Sequence, residues 1–192
     1  MNTISTVLLR LVPILLAGCA TSTPTPTPDK IYSSQEYKMM SYCVGISDIA
    51  SNAASEKLKG TPKATVQEFY ATKPQSMLNI ATVDKVYNDK FSSIWDYSVS
   101  FFNECANNMA RVPDSRVNMA SYCMQNQMMA DVTNSFKTAG APKEKAYAYF
   151  EKFNSKTSHS IVNRVYASSL TRAEIKMEIW NSCMAMVSDI QP

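Results

Sequence analysis

Residues 39–43 read Met-Met-Ser-Tyr-Cys, and residues 119–123 read Met-Ala-Ser-Tyr-Cys, an offset of 80. The match extends outward from this pair. Gly60-Thr61-Pro62-Lys63 returns as Gly140-Ala141-Pro142-Lys143, and Phe69-Tyr70 returns as Tyr149-Phe150. Val83, Val86 and Tyr87 return as Val162, Val165 and Tyr166. Phe102-Asn103-Glu104-Cys105 returns as Trp180-Asn181-Ser182-Cys183, where the offset has drifted to 78. Rare residue types recurring in one order read as a tandem duplication, with repeats at 31–111 and 112–192.

Each repeat reads as about four helices. Over 33–59, Tyr37, Met40 and Val44 recur at helical spacing, and Ser33 with Glu36 fits a capping box. Gly60 suits the left-handed position after a helix, and Pro62 the first turn of the next. In the second repeat Asp114 fits a cap, and Val117, Ala120, Met124 and Met128 make the apolar stripe. Second helices are expected over 62–72 and 142–154. Third helices are expected to carry Val83, Val86 and Tyr87, or Val162, Val165 and Tyr166, the latter starting at Ser158. Fourth helices are expected to hold Trp95, Ser98, Phe102, Cys105 and Met109, or Ile175, Ile179, Cys183 and Val187. Thr171 with Glu174 fits a second capping box. The fold class is therefore all-α, two tandem copies of a small helical bundle.

Composition narrows the function. The chain has 192 residues, 45% hydrophobic and 18% charged, the range of an ordinary globular protein. Four glycines are too few for the turns of an all-β fold. A single histidine excludes histidine-rich metal sites. The net charge of +3 is too small to imply a nucleic-acid partner.

The first nineteen residues, MNTISTVLLRLVPILLAGC, place one arginine before an apolar run from Leu11 to Ala17. That run is shorter than the roughly 20 residues a span needs, and it ends in small residues like an export signal. Leu16-Ala17-Gly18-Cys19 resembles the lipobox of bacterial lipoproteins. The resemblance implies removal of residues 1–18 and acylation of Cys19. No aspartate follows the cysteine, which by the same resemblance implies delivery to the outer membrane, with the body in the periplasm. Several acyl chains suffice for stable anchoring. Residues 20–28, ATSTPTPTP, favour an extended polyproline tether, so 19–30 reads as lipidated cysteine and spacer.

With Cys19 given to lipid, Cys43, Cys105, Cys123 and Cys183 remain, and four cysteines allow three pairings. The repeat selects Cys43–Cys105 and Cys123–Cys183, a first-to-last helix staple in each copy. An oxidising compartment permits such bridges. Closing a loop of about 60 residues stabilises by roughly 4 kcal/mol in the chain-entropy model. A four-thiolate metal site is the rival, but zinc sites carry close pairs such as C-x-x-C, and these cysteines are isolated.

Little else carries chemistry. Met119, Met124, Met128 and Met129 share one helix, and thioethers are soft Cu(I) ligands. Met124 and Met128 fall on the predicted core stripe, which reads as packing. His159 lies between Ser158 and Ser160, but adjacent helical residues point apart and cannot form a dyad. Glu174 and Glu178 share a face at a spacing common on solvated helices. No enzyme and no cofactor are expected. Trp95, Tyr97 and Phe101 span too much of a helix to be hidden together, so one of them should face the other repeat or a partner.

The pattern of cysteine, helix, G-x-P, aromatic pair, V-x-x-V-Y and cysteine is similar to short two-cysteine helical proteins exported by many proteobacteria. Two classes share that description: periplasmic immunity proteins that neutralise toxins, and pilotin lipoproteins that escort secretins. The resemblance implies a membrane-anchored module that binds a protein, as inhibitor or escort. A structural envelope lipoprotein and a methionine-lined small-molecule or Cu(I) binder are the alternatives.

Overall fold

The computed structural model describes residues 30–153 and 155–189. The signal segment, Cys19 and the tether lie outside the described residues. The described chain is helical: α1 (Ser34–Leu58), α2 (Lys63–Ala71), α3 (Ser76–Asn88), α4 (Ile94–Cys105), a π-helical segment (Ala106–Ala110), α5 (Asp114–Thr138), α6 (Lys143–Tyr149), α7 (Ser155–Ala167) and α8 (Arg172–Met184). Among the described residues, extended pairing is limited to one parallel bridge between Tyr32 and Ser188.

The long helices begin and end for local reasons. The Ser33 and Thr171 side chains each accept from the backbone N–H three residues on, and Glu36 and Glu174 reach back, which completes both capping boxes. Gly60 and Gly140 stop α1 and α5 with φ of 82° and 69°, a region that costs any other residue strain. Pro62 and Pro142 stand just before the first helical residue of α2 and α6.

Five boundaries differ from expectation. Pro113, not Asp114, occupies the N-cap of α5. The second helix of the second half ends at Tyr149 rather than 154, because Phe150 leaves helical geometry and drives its ring wholly into the core. The helix that follows starts at Ser155, not Ser158. The fourth helix of each half also ends early. After Cys105 the chain widens into the π-segment, closed by Arg111 in the left-handed region. One extra residue per turn rotates Met109 off the apolar stripe, and its side chain is exposed. After Met184 the chain turns, so Val187 lies outside α8.

Three apolar clusters form the interior. The largest draws on both halves, with Met40, Val44 and Phe102 meeting Val117, Met124 and Trp180. It also holds Val112 of the connector and all four cysteines. The disulfides Cys43–Cys105 and Cys123–Cys183 span Cα separations of 5.6 and 5.5 Å. Trp180 is fully buried here, its ring 6.0 Å from Phe102, with its indole N–H on the Ser41 hydroxyl at 2.9 Å. Two smaller clusters flank this centre. Ala50, Val66, Tyr70 and Val83 pack together in the first half, and Ala130, Ala146, Phe150 and Val162 in the second. The halves thus share a central core and each carries its own outer layer.

Corresponding side chains make corresponding bonds in the two halves. The Lys57 ammonium donates to the Val86, Tyr87 and Asp89 carbonyls at the end of α3, at 3.0, 3.0 and 2.6 Å. Lys137 donates to the Val165 and Ser168 carbonyls at the end of α7. The Tyr87 hydroxyl donates to the Thr61 carbonyl, and Tyr166 to the Ala141 carbonyl. A helix C-terminus leaves carbonyls unpaired and partially negative, so a lysine there both bonds and neutralises.

The start of the body is tied to its end. The Ile31 and Tyr32 N–H groups donate to the Val187 carbonyl, and the Asp189 N–H to the Tyr32 carbonyl. The buried Tyr32 hydroxyl donates to the Arg116 carbonyl and accepts from the Ala120 N–H. Replacing Lys57 or Lys137 by methionine keeps the aliphatic stem but strands these carbonyls. Each variant is expected to lose about 1–3 kcal/mol in urea unfolding. Lys38→Met, on the exposed face of α1, should change stability by less than about 0.5 kcal/mol.

Candidate binding cleft

Helices α1 and α5 run in the same direction. Near their starts, Arg116 pairs with Glu36 at 3.0 Å. At mid-length the Gln127 amide donates to Asp48 at 3.2 Å. Their C-terminal turns then flank a cleft of 680 Å³, with Asn52 and Ser55 of α1 on one side and Ser135 of α5 on the other. A second hollow of 770 Å³ adjoins it, reaching Lys137 and the loop Ser168–Thr171. Ser135 and Arg172 stand in the walls of both, so the two hollows adjoin. The described chain begins at residue 30, at the opposite end of α1. At 1.5 Å per residue, the distance from Ser33 to the cleft wall is roughly 30 Å.

The walls mix apolar and polar side chains. At one end stand Val66, Tyr70 and Phe69, whose ring is more than half exposed. Phe69 meets Tyr70 edge-on at 5.0 Å, and the Lys73 ammonium sits 4.7 Å from its ring centre. Burial pushes the Tyr70 phenol above its ordinary value. At the other end Leu170 is also exposed. Of the charged lining residues, Lys137 is bonded to carbonyls alone and the others are paired. Lys59 pairs with Glu56 at 2.7 Å, and Arg172 grips Asp131 through two nitrogens at 2.5 and 2.7 Å.

Beneath the groove a ladder of charges joins the halves. Lys176 reaches Asp48 at 2.8 Å and Asp131 at 3.4 Å. Burial raises the Asp48 carboxyl, and Lys176 and Gln127 only partly offset it. Asp131 is also desolvated, but hydrogen bonds from Arg172 and the charges of Lys176 and Arg172 outweigh burial and hold it below the usual range. The two aspartates thus push stability in opposite directions.

The residues singled out in the sequence lie elsewhere. The bridged Cys43, Cys105, Cys123 and Cys183 sit in the central core, away from the groove. His159 is exposed and lies 4.2 Å from the Tyr147 ring, while Ser158 is buried, so they do not share a face. Met124 and Met128 are buried in the central core and Met129 in the second-half layer, whereas Met119 is exposed. Trp95 reaches across to Phe153 of the second half at 4.9 Å, and Tyr97 donates to Asp89 at 2.9 Å. Glu174 serves its cap, and Glu178 is bound by Arg164.

Sequence reasoning did not pick out Phe69, Asp48, Asp131, Arg172 or Lys176 as a set. The available signal was a mismatch in the pattern read as a repeat, where Asp48 falls opposite Met128 and Lys176 opposite Ser98. Among the described residues, no group of three or more His, Cys, Asp or Glu could hold a metal ion, and no helix is long and apolar enough to cross a membrane. No protein-family model, curated protein or solved structure matches the chain.

Asp48→Asn and Asp131→Asn are expected to differ in sign. Asp48, with its raised value, contributes most when protonated, and that contribution is lost as pH rises through its folded value. D48N should therefore equal or exceed the parent in stability at neutral pH. Asp131, with its lowered value, contributes above the ordinary aspartate range and loses this as pH falls. D131N should be less stable at neutral pH, with the difference closing below about pH 4. Urea unfolding across pH 3–8 reads both effects.

Proposed function

We propose that this chain is a lipoprotein of the bacterial outer membrane, anchored through acylated Cys19, whose periplasmic body binds another protein without catalysing a reaction. The body is read as a tandem repeat, and its action as that of an inhibitor or an escort. The observation that carries this reading is polarity. The described chain begins at residue 30, while the groove opens between the far ends of α1 and α5. A body anchored upstream of residue 30 is able to turn this cleft away from the lipid. Exposed apolar side chains such as Phe69, Met77 and Tyr149 supply further contact surface. The paired lysine and tyrosine bonds of the two halves support the repeat.

Metabolic labelling with a palmitate analogue should mark the native protein and leave Cys19→Ala unmarked. A photo-crosslinking residue placed in turn at positions 69, 77 and 149 should yield a discrete protein adduct in living cells from at least one site. Labelling of C19A equal to the parent would remove the anchor. Absence of an adduct at all three positions would remove the binding role.

A further inference from the structure

We infer that Cys43–Cys105 is a redox-active bridge, opened by attack of a small dithiol on the Cys105 sulfur, with the Met109 thioether as its movable cover. The oxidised bridge is the resting state, and the site holds whether or not the body binds a protein.

The first observation is a difference between the two bridges. Both lie in the central cluster, and Cys43 and Cys123 are wholly buried. Their partners are covered in different ways. The Asn126 amide donates to Cys183 Sγ at 3.7 Å, and Asn126 is itself buried in the middle of α5. Cys105 Sγ instead has the Met109 sulfur at 3.7 Å, and Met109 is 45% exposed. Moving Asn126 aside means displacing α5, which supplies residues to the central and second-half clusters. Moving Met109 aside means turning one side chain. Methionine is unbranched and has three rotatable bonds, and rotamer changes of exposed side chains are fast.

The second observation is a path. A hollow of 250 Å³ lies beside the first bridge, and both Cys105 and Met109 stand in its wall, with Ile46, Leu78, Lys85 and Glu104. The π-helical segment Ala106–Ala110 follows Cys105 directly and carries Met109, turned outward over the sulfur. A reductant in the hollow therefore meets the thioether first and the bridge behind it.

The step balances with a dithiol as the only co-reactant. One thiolate of the dithiol forms a bond to Cys105 Sγ. The Cys43–Cys105 bond breaks, and its electron pair goes to Cys43 Sγ, which takes up a proton. The second thiolate of the reductant then attacks its own sulfur in the mixed disulfide. That closes a cyclic disulfide and releases Cys105, which is protonated in turn. Two electrons pass from the dithiol to the bridge. Attack on Cys43 is closed, because that residue is wholly buried. Opening the bridge frees the end of α4 from α1, while Cys123–Cys183 still ties α5 to α8.

The test exposes the full exported protein, in detergent and without denaturant, to graded dithiothreitol. Free thiols are trapped with iodoacetamide at intervals and located by peptide mass spectrometry. Cys43 and Cys105 should be trapped roughly tenfold or more faster than Cys123 and Cys183, at a rate proportional to dithiothreitol. Met109→Ala should speed reduction of the first bridge about threefold or more and leave the second unchanged. Met109→Leu, which restores the bulk, should return the rate to that of the parent. A variant that only loosened the fold would speed both bridges together. Equal rates, earlier reduction of Cys123–Cys183, no reduction of either bridge, or a rate independent of dithiothreitol would overturn the redox site. A first-bridge rate that Met109→Ala does not change, or that Met109→Leu raises as much as alanine does, would overturn the role of Met109 as its cover.

Discussion

The structure depends on one central core that contains both disulfides. Cys43–Cys105 ties α1 to the end of α4, and Cys123–Cys183 ties α5 to α8. Each closes a loop of about 60 residues within one half, and each is packed into the same cluster as Phe102 and Trp180. A half of this size has little interior of its own. Sharing a core lets Phe102 of one half and Trp180 of the other bury their rings against each other. The covalent ties meanwhile restrict the unfolded chain. Gln127 of α5 meets Asp48 of α1 at mid-length, and residues nearer the C-terminal ends of both helices line the 680 Å³ hollow.

The groove wall is held by electrostatics as well as packing. Lys176 and Arg172 bring Asp48 of one half and Asp131 of the other under a common positive field. The Asp48 arm is costly because its carboxylate is desolvated, while the Asp131 arm gains from two cations. A buried polar link of this kind is a poor source of net stability compared with an apolar contact, and it is strict about geometry. At this place it holds Arg172, which stands in the walls of both hollows.

Much of the scaffold was legible because its signals are local. Gly60 and Gly140 need the left-handed region, Ser33 and Thr171 are followed by glutamate three residues on, and the cysteines recur at nearly one offset. The π-segment was not legible, because Ala106–Ala110 carries no residue that forbids an α-helix and the widening arises in the folded context. The early end of α6 depends on where the Phe150 ring finds space, which is a tertiary fact. The groove was hidden for a related reason. Asp48, Asp131 and Lys176 stand far apart in the chain, and their aligned positions in the other half carry different chemistry. Phe69 read as half of a repeated aromatic pair, but only Tyr70 and Phe150 of those pairs are buried, which leaves Phe69 and Tyr149 outside.

The central claim, two halves each closed by its own bridge around one shared core, is tested most directly by peptide mapping of the exported protein without reduction. The account predicts crosslinked peptides joining Cys43 to Cys105 and Cys123 to Cys183, with no free thiol among the four. A crosslink between Cys43 and Cys123, any other bridge between the halves, or four free thiols would contradict it.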